Sequence, residues 1–370
     1  MNKTCISCNS SGLIEMEFYS SLPRVSSDSK LYKSGGKIGR CNVCGHVQKI
    51  IDAKFIGEIT KIYSTYDMYS GDASDQPIFI NDQELTRSKI LVDDLITNWK
   101  LPQKGGLLEI GAGKGAFIYQ FCKYFPEWKI NSLEYDNKYI KYLDKNENFE
   151  KNYIDIDEIE VDGFDLIVSI HTIEHILDPV IYLKKAKKML KNHGIMFFQV
   201  PDVANSHFDI VIADHVSHFS RSSFKEILTR AGLQSKIRTV IPKEITAYCS
   251  KDVVDSSIIN NDYDVFQNIN YLHRIGSIIK NYSSNHKVGI YGTTIAANWL
   301  TNWTGEISFY VDDDVKKIGK KLNEKNIYGI NEVPVGSHIF LPFTRSTNNV
   351  IIKKLANIIQ LKKITLIPLE

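Results

Sequence analysis

The central part of the chain alternates short apolar runs, which predict buried strands, with segments whose apolar residues recur at helical spacing. The predicted strands and strand ends fall at 107–110, 128–134, 153–157, 164–171 and 195–200. Helices are predicted from Ala116 onward and over 178–190. Strands that alternate with helices in this order predict an α/β fold built on a largely parallel sheet.

The segments on either side of this centre divide the chain into three predicted domains. Residues 82–99 predict an amphipathic helix that packs on the sheet. A second strand–turn–helix pattern starts near residue 255, with a helix over 263–280, a strand and glycine turn over 287–294, and a strand over 307–312. We therefore expect domains at 1–80, 81–250 and 251–370, the last of them Rossmann-like.

A glycine-rich turn follows the first central strand. The pattern E-x-G-x-G-x-G places Glu109 before Gly111, and Gly113 and Gly115 continue the turn into a helix. Glycines let the backbone turn sharply and approach a ligand closely. The spacing differs from the G-x-G-x-x-G fingerprint of dinucleotide sites. It resembles the first motif of class I S-adenosylmethionine (SAM) methyltransferases, so we expect SAM as the cofactor and a class I methyltransferase core.

Acidic residues at successive strand ends suit the same cofactor. Glu109 is placed to accept a hydrogen bond from a cationic amino group. Glu134 ends the second strand, where a carboxylate accepts ribose hydroxyls, and Asp155 is placed for an adenine amine. The predicted cofactor set is Glu109, Gly111, Ala112, Gly113, Glu134, Asp155 and Ser169. The alternative is an α/β domain whose acidic residues merely end its strands.

Four of the six cysteines form two C-x-x-C pairs near the N-terminus. Cys5 and Cys8 make the first pair and Cys41 and Cys44 the second, and Gly45 allows a tight turn in which N–H groups face the sulfurs. Four thiolates in two such pairs predict a closed, structural Zn²⁺ site. Disulfides are one alternative, disfavoured in a cytoplasmic protein. A redox C-x-x-C motif is another, but no βαβ pattern surrounds either pair.

A polar segment after the fifth strand is a candidate for acid–base chemistry. Asp214, His215 and His218 precede a helix predicted over 222–231. Loops at this edge of an α/β sheet hold groups that face the substrate. Asp214 and His215 are sequence neighbours, so their pairing is not assured, whereas His218 is spaced to lie on the same side as His215.

Three tyrosines follow the cysteine pairs at a spacing of three. Tyr63, Tyr66 and Tyr69 share one face if this segment is helical. They either pack the small domain against the larger one or cover the cofactor cleft as a lid of phenol groups.

Composition and charge narrow the classes of function. With 43% hydrophobic and 24% charged residues, the chain resembles ordinary globular proteins. It contains no apolar run near the ~18 residues of a membrane span and no signal-peptide core at its start. We therefore expect a cytoplasmic protein without a membrane partner. A net charge of +2 gives no broad field for nucleic acid.

Together these features resemble the zinc-containing C-methyltransferases that act on nucleotide-linked deoxysugars. The cysteine knuckles, tyrosine-rich connector, SAM core and the H-V-S-x-F-S segment at 215–220 all have counterparts in that family. The last domain matches through Tyr291-Gly292 with Asn298, and Val311-Asp312 with Lys317-x-Gly319. The resemblance implies that a base removes a proton beside a keto group of a nucleotide sugar, and that carbon then takes the methyl group of SAM. It implies His215 as the base, in a catalytic site with Asp214, His218, His171 and Tyr66.

The catalytic segment also departs from the family pattern. Ile212-Ala213-Asp214-His215 stands where the family has Tyr-His-Glu-His, Gln199 replaces a glutamate, and Ile170-His171 replaces two asparagines. Hydroxyl or amine methylation is therefore an alternative, because such acceptors need only alignment and a modest base. Two other classes stay open: an RNA-modifying methyltransferase that uses the zinc knuckles, and a non-catalytic assembly protein that retains SAM binding.

Overall fold

The computed structural model describes residues 4–67, 75–80, 83–250 and 264–369. Within these ranges the chain forms three sheets of four or more strands, and two of them belong to α/β layers. No helix in these ranges is long and apolar enough to cross a membrane. Tyr69 lies outside the described residues, so the predicted tyrosine face can be followed only at Tyr63 and Tyr66.

The N-terminal region is a small antiparallel sheet followed by one helix. Its elements are β1 (Leu13–Glu15), β2 (Arg24–Val25), β3 (Leu31–Tyr32), β4 (Ile38–Cys41), β5 (Val47–Lys49) and α1 (Ala53–Ser64). Asp52 starts α1 by accepting a hydrogen bond from the Phe55 N–H. The sheet has the order β1-β4-β5-β13, and its last strand, β13 (Ser217–His218), comes from the predicted catalytic segment.

The helix predicted over 82–99 is shorter than expected. Residues 83–86 form β7 (Gln83–Thr86), which pairs antiparallel with β6 (Pro77–Ile80), and α2 (Arg87–Asn98) begins only after this hairpin. The reason is that Ile78 and Leu85 face each other across the hairpin, so Leu85 serves a strand rather than the apolar face of the helix.

The central sheet has seven strands in the order β10-β9-β8-β11-β12-β15-β14. The strands are β8 (Gly106–Ile110), β9 (Lys129–Leu133), β10 (Phe149–Tyr153), β11 (Phe164–Ile170), β12 (Leu190–Pro201), β14 (Gln234–Arg238) and β15 (Glu244–Ser250). The helices are α3 (Ala116–Cys122), α4 (Ile140–Leu143), α5 (Pro179–Met189) and α6 (Arg221–Arg230). Strands β8 to β12 are parallel, and β15 pairs antiparallel with both β12 and β14. The order reverses between β8 and β11, where α/β sheets bind ligands at the carboxyl ends of strands.

The α/β prediction for this region is confirmed, with one strand longer than predicted. Strand β12 starts at Leu190, directly after α5, rather than at residue 195. Its first residue pairs with Phe164 through an irregular register, which lets the strand begin before the regular parallel pairing at Leu166 and Ile195.

The C-terminal region repeats the α/β arrangement on a six-stranded sheet of order β18-β19-β17-β16-β20-β21. Its strands are β16 (Val288–Tyr291), β17 (Phe309–Val311), β18 (Lys321–Leu322), β19 (Lys325–Tyr328), β20 (His338–Leu341) and β21 (Thr365–Pro368). Its helices are α7 (Val265–Ser283), α8 (Ile295–Thr304) and α9 (Arg345–Lys362). All of its strand pairs are parallel except β18 with β19.

The N-terminal and C-terminal regions share one hydrophobic core with the segment that follows β12. This core contains Tyr19 and Val25 from the N-terminal region, Ile210 from the segment after β12, and Trp299 from α8. The indole N–H of Trp299 donates to the Pro23 carbonyl at 2.8 Å. The segment after β12 is therefore packed between the two outer regions.

Candidate active site and cysteine cluster

The four cysteines predicted to bind zinc meet at one point. The sulfurs of Cys5 and Cys44 are 3.6 Å apart, as are those of Cys8 and Cys41, and all four lie within 4.8 Å of one another. Sulfurs at tetrahedral positions ~2.3 Å from Zn²⁺ would be roughly 3.8 Å apart, so this donor set fits the ion. All four are free thiols, and the hydrogen bond with Cys5 lowers the pKa of Cys44 to about 5 despite burial.

His46, which follows the second knuckle, is buried rather than at the surface. Neither ring nitrogen has a hydrogen-bond partner among the described residues, and the ring packs against Phe219 with centroids 5.7 Å apart. Burial lowers the pKa of His46 to about 3, so the imidazole is neutral. The knuckle thus contacts the segment that carries the candidate catalytic residues.

The predicted cofactor residues meet at the carboxyl ends of β8 and β9. Gly111 has a φ of +75°, and a Cβ there would lie 2.1 Å from Thr172 Oγ1, so a larger residue does not fit. The Gly113 N–H donates to Glu134 Oε2 at 2.8 Å. Glu109 is buried and its Oε2 has no hydrogen-bond partner among the described residues. Burial, and next the charge of Glu134, raise the pKa of Glu109 well above its ordinary value.

The remaining cofactor residues lie close to this turn. Glu134 accepts a second hydrogen bond from the Asp136 N–H, and each of its oxygens keeps a lone pair for a ligand. Asp155 follows β10 and accepts from the Asp157 N–H at 2.9 Å. Ser169 is buried in β11 beside Ile110 and its hydroxyl has no partner in the described part of the chain, while Ala112 is buried in the turn.

His215 and His218 lie on the same side of the segment after β12, as predicted from their spacing. Both bind one carboxylate: His215 Nδ1 is 2.7 Å from Asp209 Oδ1, and His218 Nδ1 is 2.8 Å from Asp209 Oδ2. All three side chains are at most 5% exposed. Burial alone would lower the pKa of His215, but the Asp209 carboxylate raises it overall. Burial and the charge of Lys49 lower the pKa of His218 to about 4.

Asp214 and Tyr66 form a separate group around Ser27. The Asp214 carboxylate accepts from the Ser27 N–H at 2.8 Å and from its hydroxyl at 2.5 Å. The Ser27 oxygen in turn accepts from the Tyr66 hydroxyl, with Oγ and Oη 3.1 Å apart. Asp214 is therefore not a partner of the His215 ring, because its carboxylate already fastens the catalytic segment to the N-terminal region.

A second imidazole, His175, packs against His215. Their ring centroids are 4.7 Å apart with nearly perpendicular planes, and His175 Nδ1 lies 3.0 Å from the Tyr63 hydroxyl. Glu174 is buried beside them, and neither of its carboxylate oxygens has a hydrogen bond of good geometry among the described residues. Burial would raise the pKa of Glu174, but its pairing with His171, 3.3 Å away, lowers it overall.

His171 lies between two carboxylates at the end of β11. Its Nδ1 is 3.3 Å from Glu174 Oε1 and its Nε2 is 3.3 Å from Glu244 Oε2, while Arg87 also pairs with Glu244 at 2.8 Å. Burial and Arg87 would lower the pKa of His171, but the two carboxylates raise it overall. The residue has a φ of +51°, a conformation that is uncommon outside glycine and recurs at functional sites.

The turn after β11 connects the cofactor residues to the histidines. Thr172 Oγ1 donates to the Ile110 carbonyl at 3.3 Å and covers Gly111, and Glu174 and His175 follow directly. The Val216 N–H donates to the Glu174 carbonyl at 2.8 Å. A methyl donor at the glycine turn and a base at His215 would therefore share one site.

The N-terminal region holds the catalytic segment through backbone hydrogen bonds. The Ala213 N–H donates to the Val25 carbonyl at 2.7 Å, and the Lys49 N–H donates to the Val216 carbonyl at 2.8 Å. Tyr19 donates to the Ile210 carbonyl at 2.9 Å and accepts from Lys49 Nζ at 2.6 Å. Burial lowers the pKa of Lys49 to about 7.

Sequence reasoning missed three acidic residues at this site, Asp209, Glu174 and Glu244. Asp209 lies six positions before His215, and neither a helix nor a strand brings residues at this spacing together. A short 3-10 turn places the Asp209 carboxylate against the His215 ring. Glu174 directly precedes His175, and this adjacency was the sequence signal that could have identified Glu174. Glu244 starts β15, and only the sheet topology places it beside His171.

A cavity of about 420 Å³ opens beside His175. It is lined mainly by apolar side chains, among them Ile59, Tyr63, Ile156 and Tyr182. This volume lies in the range of small-molecule sites.

Part of this chain is similar to a known family and to several solved structures. Residues 85–236 match the family described as "Methyltransferase domain". No curated protein matches the chain. Among solved structures, a SAM-dependent methyltransferase from Aquifex aeolicus is 15% identical with a TM-score of 0.39, and the similarity covers 44% of this chain and 91% of that one. The CurJ carbon methyltransferase is 14% identical with a TM-score of 0.37, covering 44% and 53%. The mitomycin 7-O-methyltransferase MmcR is 16% identical with a TM-score of 0.38, covering 44% and 53%.

The glycine turn and the acidic strand ends lie inside the matched residues, on a sheet whose strand order reverses beside them. Residues 85–236 are a methyltransferase domain with an α/β, Rossmann-like sheet, and the protein is a methyltransferase.

Proposed function

We propose that the enzyme uses SAM and transfers its methyl group to a small, activated sugar, with His215 as the general base. SAM supplies an electrophilic methyl group on a sulfonium. Glu109 would bind the amino group of SAM, and Glu134 would bind its ribose hydroxyls. The backbone of the Gly111–Gly113 turn would pack against the cofactor. The orphaned, buried oxygen of Glu109 supports this fit, because an ammonium group would satisfy it.

The proposed role of His215 as the base rests mainly on its contact with His175. His175 comes directly after the turn that covers Gly111. A base at this position can remove a proton from a carbon beside a carbonyl group or from a hydroxyl. His171 lies between Glu174 and Glu244, which favour its imidazolium form, and its side chain is 28% exposed. It would stabilise negative charge on the acceptor oxygen.

We also propose that the four cysteines bind one structural Zn²⁺. The closed thiolate set leaves no open position for a substrate. Its role would be to keep β4 and β5 in place, because β5 pairs with the strand that carries His218. The ion would thus act on catalysis through the backbone and not through chemistry at the acceptor.

The test is to incubate the enzyme with methyl-labelled SAM and a panel of nucleotide sugars, some with and some without a keto group. Mass spectrometry should show label in a nucleotide sugar. Exchange of the proton beside the keto group with deuterated solvent, followed by NMR without SAM, would identify a carbon acceptor. Label without exchange would identify a hydroxyl or amine acceptor. Label in RNA and in no sugar would overturn the sugar assignment.

A further inference from the structure

We infer that Asp209 is the positioning residue of the active site: its carboxylate clamps the His215 and His218 rings and selects the nitrogen of His215 that acts as base. The inference rests on the proposed role of His215. It concerns a residue that belongs to no cofactor motif and lies outside the set expected from sequence.

The clamp follows from the donor and acceptor capacities of the three side chains. An ionised carboxylate only accepts hydrogen bonds, and each oxygen of Asp209 faces one imidazole Nδ1, at 2.7 Å and 2.8 Å. Both Nδ1 atoms must therefore carry a proton. The unprotonated nitrogen of neutral His215 is then Nε2, which is the atom available to take a proton from the acceptor.

The two histidines have different roles although they share the carboxylate. The His218 ring is fully buried, and its Nε2 has no hydrogen-bond partner among the described residues. It lies on β13, whose pairing with Val47 holds it in the sheet. We assign His218 to fixing the second oxygen of Asp209, which prevents the carboxylate from rotating. His215 instead packs against His175, which is 15% exposed at the site.

The backbone that carries Asp209 is itself anchored. The Asp209 N–H donates to the Ser206 carbonyl at 3.0 Å, and the next carbonyl, of Ile210, accepts from Tyr19. Lys49 reaches the same carbonyl at 3.4 Å. The backbone at Asp209 and Ile210 is thus held by groups from two regions of the chain.

Charged groups on every side of the clamp bear on its protonation. Lys49 faces it from β5, His175 and Glu174 from the turn after β11, and Asp214 from its own segment. Burial would raise the pKa of Asp209, but His218 and His215 lower it overall, so the carboxylate stays charged. When His215 takes up a proton, this charge lies 2.7 Å from the ring.

The decisive variant is Asp209→Asn, which keeps the size of the side chain. An amide offers one acceptor oxygen and one NH₂ donor, so one of the two Nδ1–H groups loses its acceptor. We expect turnover to fall ~10²–10⁴-fold, as for other losses of a positioned base, while SAM affinity and acceptor KM stay near wild type. The acidic limb of the pH–rate profile should move to lower pH, because the negative charge that raises the pKa of His215 is gone.

A control variant separates positioning from general support of the fold. Asp202→Asn alters another buried carboxylate of the same segment, one that binds the Ala204 N–H and Asn205 but no imidazole. This variant should retain the wild-type pH profile, and an equal shift of the acidic limb in Asp202→Asn would overturn the inference.

The tautomer of His215 provides a readout that needs no substrate. In ¹⁵N-histidine NMR spectra, wild type and Asp202→Asn should show His215 protonated at Nδ1, and Asp209→Asn should show mixed tautomers. An Nε2–H tautomer in the wild type would refute the clamp even if methyl transfer is confirmed. If no sugar is methylated but the tautomer is as stated, the proposed substrate fails and the clamp stands.

Discussion

The two halves of the active site are built in different ways. The cofactor half consists of turns at the ends of β8 and β9, and its key contact, from the Gly113 N–H to Glu134, joins residues of neighbouring strands. The acceptor half is carried mainly by the irregular segment that follows β12. It is fastened by Val25, Ser27 and Lys49, which lie far away in the chain.

Because the two halves are built differently, we expect that cofactor binding and acceptor chemistry can be lost separately. The cofactor half depends on glycine conformations and on a sheet with its own core. The acceptor half depends on the cysteine cluster, because β4 and β5 lie between the cysteines and β13. Perturbing the N-terminal region should therefore abolish methyl transfer before it abolishes SAM binding.

Zinc removal should give the largest effect. Purified enzyme should contain about one zinc per chain, as expected for four thiolates, and chelation or Cys41→Ser should abolish turnover while SAM still binds. Calorimetry and metal analysis measure both quantities. A second equivalent of metal would mean that a carboxylate–histidine group such as Asp209, His215 and His218 also takes an ion. If chelation or Cys41→Ser lowered SAM affinity and turnover together, the claim that the two halves are supported separately would be wrong.

His215→Asn should lower turnover ~10²–10⁴-fold and leave SAM affinity unchanged, because only the base is removed. His193→Asn is the matched control, since His193 is exposed on β12 away from the carboxyl ends of the strands. With a keto-sugar acceptor, the His215 variant should also lose solvent exchange of the neighbouring proton. Wild-type turnover in this variant would transfer the role of base to His175 or His171.

Glu134→Ala tests the cofactor half on its own. Loss of the carboxylate that faces the ribose should weaken SAM binding by ~1.5–3 kcal/mol, the scale of a hydrogen bond to a charged group. Glu150→Ala, which removes a surface carboxylate paired with Lys129, should leave the affinity as it is. Equal calorimetric affinities for wild type and Glu134→Ala would reject the ribose assignment.

The pH dependence of stability tests the acceptor half without an activity assay. Burial holds the pKa of His218 at about 4, below its ordinary value of 6.5. Between these values the unfolded chain binds a proton that the folded chain does not, so His218 lowers the free energy of unfolding as the pH falls, by at most ~1.4 kcal/mol per pH unit. His218→Gln should flatten this slope in urea titrations at pH 4–7. Identical slopes in the two proteins would place the proton uptake elsewhere.

The same difference explains what sequence could predict. Glu109, the glycine turn and Glu134 belong to short patterns whose geometry is set by adjacent residues and regular strands, and the four cysteines have a spacing that limits their arrangement. Asp214 lies beside the histidines, with Oδ2 3.5 Å from His175 Nδ1, but its carboxylate also binds Ser27, a partner that only the folded N-terminal region supplies. Asp209 was overlooked because its contacts with His215 and His218 require a 3-10 turn that no periodicity indicates. The hairpin of β6 and β7 likewise shortened a helix whose apolar spacing looked continuous.

The pairing of β13 with β5 also determines how the protein can be recombined. A chimaera cut at residue 80 would join one parent's cysteine domain to another parent's 209–218 segment, although these two pieces form a single sheet. Exchanging acceptor preference between relatives would therefore require moving residues 4–67 together with 209–218. The glycine turn and its surrounding sheet could remain in place. The part to be exchanged, residues 4–67 and 209–218, is contiguous in space but not along the chain.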